Sequence, residues 1–146
     1  MIRIDVNEAD FDTGACLAEL ESLGGGAVAS FTGIVRGGDG LLSMRLDHYP
    51  AMTHMQIGRI VGDARERWPL LGVTVLHRVG ELRPGNRIVF VGVASAHRAA
   101  ALEACAFLID WLKTDAPFWK EESFDDGTSR WVEARAEDDN ARDRWA

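Results

Sequence analysis

The sequence predicts an α+β domain with a mainly antiparallel sheet, two long helices and a C-terminal hairpin. Three observations predict it. Short alternating or β-branched runs are joined mostly by compact turns, two longer stretches carry apolar residues at helical spacing, and no internal repeat or low-complexity linker divides the chain. With 146 residues and 47% hydrophobic content, the chain is long enough for one domain with a real core. That domain is placed at residues 1–136. The remainder, 137–146, is rich in Asp, Asn and Arg and is expected to be a polar tail, frayed or weakly helical.

The elements follow in order. Ile2 to Val6 alternates as a first strand, and Asp12 or Thr13 can cap a helix through Cys16, Leu17, Leu20 and Leu23 that Gly24-Gly25-Gly26 stops. Ala27 to Arg36 reads as a strand, Gly37-Gly38-Asp39-Gly40 as a loop, and Leu42 to Tyr49 as the returning strand. Pro50 opens a helix with an apolar stripe of Met52, Met55, Ile60 and Ala64, closed at Trp68-Pro69. Val73 to Val79 is a strand, and Arg83-Pro84-Gly85-Asn86 has turn chemistry. The near-continuous apolar run from Arg87 to Ala94 suits a central strand. A helix from about Ala96 to Lys113 is expected to bury Leu102, Cys105, Ala106 and Ile109 on one face. Asp125-Asp126-Gly127 separates Phe118–Phe124 from Ser129–Ala134 as a hairpin.

Charge narrows the function. A formal net charge of -7 disfavours general binding to nucleic acid or to membrane surfaces. The N-terminus does not read as a signal peptide, and no stretch approaches the roughly 18 to 20 apolar residues of a membrane span. Cys16 and Cys105 lie far apart in apolar surroundings, so a reduced, cytoplasmic setting with two inert thiols is expected. His48, His54 and His77 stand isolated, without metal-ligand spacing, and no metal site or cofactor is expected. Asp47-His48 imitates part of a catalytic dyad, but there is no elbow-type serine to receive it. An anionic ligand must be met by a local cluster of cations, and three segments could supply one.

In Ser95-Ala96-His97-Arg98, Ser95 is placed to cap a helix that carries His97 and Arg98 in its first turn. Two cationic side chains beside free backbone N–H groups make an anion site, although both residues could simply face water. In Lys113-Thr114-Asp115-Ala116-Pro117-Phe118-Trp119-Lys120, Lys113 falls in a last helical turn, where a cation is ordinary dipole compensation. Pro117 breaks the helix, and Phe118-Trp119 sets apolar bulk beside Lys120, which suits acid–base or imine chemistry. In Phe31-Thr32-Gly33-Ile34-Val35-Arg36, an arginine ends a strand before a glycine-rich loop, a position for a phosphate clamp or for a plain surface charge. The loop itself is no P-loop, because no Gly-Lys-Ser/Thr follows.

Taken with Asp47-His48-Tyr49-Pro50-Ala51-Met52, Arg67-Trp68-Pro69, His77-Arg78-Val79-Gly80-Glu81-Leu82 and Arg130-Trp131-Val132-Glu133-Ala134-Arg135, these segments form an ordered series. The series closely resembles the large subunit of molybdopterin synthase over roughly residues 25 to 136. The resemblance implies an α/β hammerhead fold and a sulfurtransferase of molybdenum cofactor biosynthesis. Such an enzyme converts cyclic pyranopterin monophosphate to molybdopterin by two sulfur transfers. The sulfur comes from the C-terminal Gly-Gly thiocarboxylate of a ubiquitin-like small subunit. The resemblance also implies a homodimeric core with a small subunit at each end, making a heterotetramer. By this resemblance Lys113 and Lys120 match the essential lysines. Arg36, His97, Arg98 and Arg135 match the pocket for the anionic pterin, and Ile34, Val35, Glu121 and Glu122 occupy positions that line it. Two departures stand out: Glu121 follows Lys120 where a basic residue is common, and the loop after Arg36 is short.

Helix length adds a constraint. His97 and Lys113 are sixteen residues apart, so a straight helix separates them by about 24 Å. His97 and Arg98 are therefore expected to serve the Lys113–Lys120 pocket of the other subunit. The competing reading is a non-catalytic homodimeric anion-binding scaffold that keeps the fold. A carboxylate-based hydrolase would need paired acids on a rigid element, and the sequence offers none.

Overall fold

The computed structural model describes residues 1–132, 140 and 142–145. Strand β1 (Ile2–Asn7) leads to helix α1 (Thr13–Glu21) and strand β2 (Ala27–Ile34). Strand β3 (Leu41–His48) runs into α2 (Pro50–Arg67), followed by β4 (Leu70–Arg78), the short β5 (Gly80–Leu82) and β6 (Arg87–Ser95). Helix α3 (Arg98–Thr114) returns to a hairpin of β7 (Phe118–Phe124) and β8 (Ser129–Val132). The strands form two sheets, ordered β1-β4-β6-β2 and β5-β3-β7-β8. β1 pairs parallel to β4, and the other pairings are antiparallel. The class is α+β, with the two long helices and the terminal hairpin that the patterning predicts.

Burial explains the patterning of the central strands. Val73 and Val75 of β4 and Val89, Val91 and Val93 of β6 lie in one core cluster with α2 and α3. The alternate residues Leu76, Phe90 and Ala94 pack against α1 on the other face. Both faces of this sheet are covered, which is why β6 reads as a continuous apolar run. A third cluster, Val35, Met44, Leu46, Val79 and Leu82, joins the second sheet to the first. Cys16 and Cys105 are buried free thiols, and burial pushes Cys105 up to about 11 and raises Cys16.

Several local expectations change. Asp12 is the cap of α1, its carboxylate accepting from the Ala15 N–H at 3.2 Å. Ser95 does not cap α3. It is the last residue of β6, and its hydroxyl donates to the Pro69 carbonyl at 2.7 Å. His97 takes the cap position without a side-chain bond. Gly25 fits against this strand end because a Cβ there would lie 2.5 Å from the Ser95 carbonyl oxygen. β5 lies between the expected strand ending at Val79 and the turn at Arg83–Asn86, and was not expected; Gly80, at φ 84°, bends the chain from the first sheet into the second.

Both long helices bury a face that overlaps the expected stripe, at Ala64 and Cys105 with Ile60 and Ile109 packed at its edge, but is rotated from it. α2 buries Thr53, Ile57, Val61 and Ala64, leaving Met52 and Met55 exposed. The polar Thr53 occupies a core position and so masks the true phase. α3 buries Ala101, Ala104, Cys105, Phe107, Leu108 and Leu112, and Leu102 is 60% exposed. Small alanines let this face pack close to the sheet, so the larger Leu102 misleads.

The tail, expected to be frayed or weakly helical, has helical residues at 140, 142 and 143 and is docked at Trp145. The Trp145 indole N–H donates to the Asp110 carboxylate at 2.7 Å, and its ring meets Trp68 and Phe107 edge-on at 5.8 and 5.6 Å. Arg67 donates to the Trp145 carbonyl. Trp145→Ala should therefore lower stability by about 2 kcal/mol, several degrees in a thermal melt. An unchanged melting temperature would mean that this docking contributes nothing.

Candidate active site

Lys113 sits in the last turn of α3, and the chain needs only a short bridge to reach Lys120 in β7. The helix closes through Asp115 N–H to Trp111 O at 2.8 Å and Ala116 N–H to Trp111 O at 3.3 Å. Pro117 cannot continue it. The Phe118 N–H then turns back to Ala116 O at 2.8 Å, and β7 begins. Lys120 pairs with Leu46 on β3 and Val132 on β8.

Strand alternation sorts the neighbours of Lys120. Phe118, Lys120 and Glu122 share one face of β7 with Leu46 and Met44, both buried opposite them. Glu121 lies on the other face, level with Arg45 and Trp131. Its charge is therefore set away from the Lys120 face, which reduces the weight of that departure. Glu122 accepts from Arg130 at 3.4 Å.

Arg36 reaches the same end through Val35. Val35 is 3% exposed in the cluster that contains Leu46 and that Phe118 packs against. Its N–H donates to Asn86 O and its carbonyl accepts from Gly85 N–H, both at 2.9 Å. Val35 thus anchors the chain while Ile34 and Arg36 on either side are exposed. The following loop is tied to the β7–β8 turn, where Asp125 N–H donates to Gly40 O at 2.9 Å.

Lys120 and Glu122 share the β7 face opposite Leu46 and Met44, Arg36 follows Val35 in the cluster that holds both of those residues, and Lys113 acts electrostatically on His77 beneath Phe118. His97 and Arg98, both exposed, are at the other end of α3, whose 17 residues span about 25 Å. The uninterrupted helix gives the expected separation within one chain. Arg135 lies outside the described residues. Two surface cavities, one lined by Arg3, Asp5, Asp10 and Arg78 among others and one by Gln56, Arg59, Asp63 and Trp111 among others, take in neither lysine nor Arg36. Among the described residues no group of His, Cys, Asp and Glu is placed to hold a metal ion.

One feature of this end escaped the sequence reading. His77, isolated from metal-ligand spacing and otherwise noted only within the ordered segment 77–82, stacks on Phe118 with ring centroids 3.9 Å apart and planes 15° apart. His48, opposite Phe118 on β3, stacks on the same ring at 6.1 Å. Burial lowers the His77 pKa to about 4, helped by the positive charge of Lys113 and by His48. The ring is therefore neutral at neutral pH. Its Nδ1 lies 2.7 Å from the Arg78 carbonyl, which can only accept, so Nδ1 carries the proton.

Fold and site together define an α+β protein with one lysine at the end of its last long helix and another on the strand that follows, and with His97 and Arg98 a helix length away. The comparisons agree with this class. The family model described as MoaE protein matches residues 6–115. The molybdopterin synthase catalytic subunit of Escherichia coli (strain K12) is 56% identical over 82% of this chain and 81% of its own length. That of Pseudomonas aeruginosa is 50% identical, covering 99% of both chains. A solved structure, the molybdopterin biosynthesis MoaE protein from Burkholderia ambifaria MC40-6, superposes with a TM-score of 0.84 at 44% identity, over 99% of this chain and 98% of that one. The chain belongs to the MoaE family of molybdopterin synthase catalytic subunits.

Proposed function

We propose that this chain is the catalytic subunit of a cytoplasmic molybdopterin synthase, transferring two sulfurs to cyclic pyranopterin monophosphate. The sulfur donor is the C-terminal thiocarboxylate of a ubiquitin-like small subunit. This reading is supported by the placing of Lys113 and Lys120 at the two ends of the short bridge from α3 to β7, with Arg36 next to Val35 of the cluster that Phe118 packs against, in a protein of net charge -7. Both reactants are anions, and a local cation cluster in an acidic protein selects for them.

Lys113 holds the partner's terminal carbonyl and stabilises the negative charge that builds as sulfur attacks the pterin side chain. Lys120, half-buried on the Phe118 face, orients the substrate or moves a proton. Arg36 and Arg135 bind the cyclic phosphate, with Ile34 and Glu122 at the margin. Val35 acts by holding Arg36 in place. His97 and Arg98 cannot reach these lysines within one protomer, so they complete the site of a second copy, and the working unit is a homodimer with a small subunit at each end. The start of α3, which has no side-chain cap bond, suits that role, since its backbone N–H groups and the Arg98 guanidinium offer donors to an anion beside His97.

The test is reconstitution. Purified protein, thiocarboxylated small subunit and cyclic precursor should yield the dithiolene product. Failure with a cognate, fully thiocarboxylated partner would leave a non-catalytic scaffold as the better reading.

A further inference from the structure

The bridge from Lys113 to Lys120 is held at both ends, and its inner anchor is a side chain with no role in the proposed sulfur transfer. At the helix end the bridge is fixed by the backbone bonds to Trp111. On the strand side, Trp119 turns outward, 42% exposed, and meets Tyr49 edge-on at 4.8 Å. Phe118 turns inward and lies flat on His77. His77 itself belongs to β4, a strand paired on both sides, opposite Val6 of β1 and Val89 of β6. Its bond to the Arg78 carbonyl fixes the ring plane. A rigid platform thus meets the first residue of β7, two positions before Lys120 and five after Lys113.

We propose that His77 is a positioning residue for sulfur transfer: by stacking on Phe118 it fixes the bridge between Lys113 and Lys120 and so sets the spacing of the two ammonium groups. The proposal rests on the reading that these two lysines act on one substrate. A flat ring does what an aliphatic side chain could not, because offset ring stacking fixes orientation as well as distance. A neutral ring also adds no like charge beside Lys113. Simple core packing would need apolar volume at this position but would not need a ring.

Two measurements test it, one independent of turnover. Spin labels at Lys113→Cys and Lys120→Cys in the full chain, diluted with unlabelled chain so that a dimer carries one labelled copy, should give one narrow distance distribution by electron paramagnetic resonance. Adding His77→Ala should broaden or shift it, and His77→Phe, which keeps a stackable ring, should restore it. In the reconstituted reaction, His77→Ala should lower kcat by about 10- to 100-fold, as expected for a misplacement near 1 Å, with KM for the precursor and affinity for the small subunit within about twofold. His77→Phe should recover most of kcat. The double variant His77→Ala/Phe118→Leu should be no slower than the slower single, since both break one stack. An unchanged label distribution in His77→Ala, a loss carried by KM, or independent effects that multiply in the double variant would each overturn the proposal. Because the label measurement needs no substrate, it tests the spacing even if the sulfur-transfer reading fails.

Discussion

Lys113→Ala is expected to reduce molybdopterin formation by on the order of 10²- to 10³-fold or more, the scale for losing one preorganised group that stabilises developing charge. Stability should barely change. Lys113 is exposed in the last turn of α3, where a cation's interactions with the helix end and with surface partners are together worth about 1 kcal/mol or less. The variant should therefore melt close to the parent and still bind the small subunit while failing to transfer sulfur. That separation distinguishes a catalytic lysine from a helix-end cation, which is the plain explanation available for this residue. Full activity in Lys113→Ala would remove Lys113 from the chemistry and leave Lys120 and Arg36 as anion binders only. Lys113→Arg makes a useful companion. It keeps the charge but changes its shape and reach, so partial activity is expected if electrostatic stabilisation dominates.

Much of the fold was legible because local chemistry and packing agree. The apolar run of β6 announced a doubly covered strand, Pro50 and Trp68-Pro69 marked the ends of α2, and Asp125-Asp126-Gly127 marked the hairpin. The helical phases were not legible, since a buried threonine on α2 and a row of alanines on α3 carry little hydrophobic signal. Ser95 looked like a cap because a serine before a helix usually is one. Here the tertiary bond to Pro69 holds it in the strand instead. Trp145 was assigned to a tail because its contacts with Trp68, Phe107 and Asp110 are long-range and leave no local pattern.

The site divides in the same way. Lys113 and Lys120 form a weak motif by spacing alone, and their importance was legible only through the ordered segments around them. The distance between Lys113 and His97 was legible, because one uninterrupted helix fixes it. The face of Glu121 depended on the register of β7 with β3, which sequence does not give. The contact of His77 with Phe118 joins β4 to β7 across a large sequence separation, and a histidine in an apolar strand reads equally well as plain core.

The division of cations between the two ends of α3 leads to the second large effect, complementation between defective subunits. Lys113→Ala and Arg98→Ala homodimers should each be nearly inactive, because every site in them lacks one essential group. In a heterodimer of the two, one site collects both substitutions and the other collects none. The most direct measurement is the dithiolene-forming rate of a heterodimer purified through different affinity tags on its two chains, supplied with thiocarboxylated small subunit and cyclic precursor. A site shared between copies should restore about half of the wild-type rate per dimer, one intact site in two. A heterodimer no more active than the two parent homodimers would contradict the shared site and confine the reaction to the residues of a single chain.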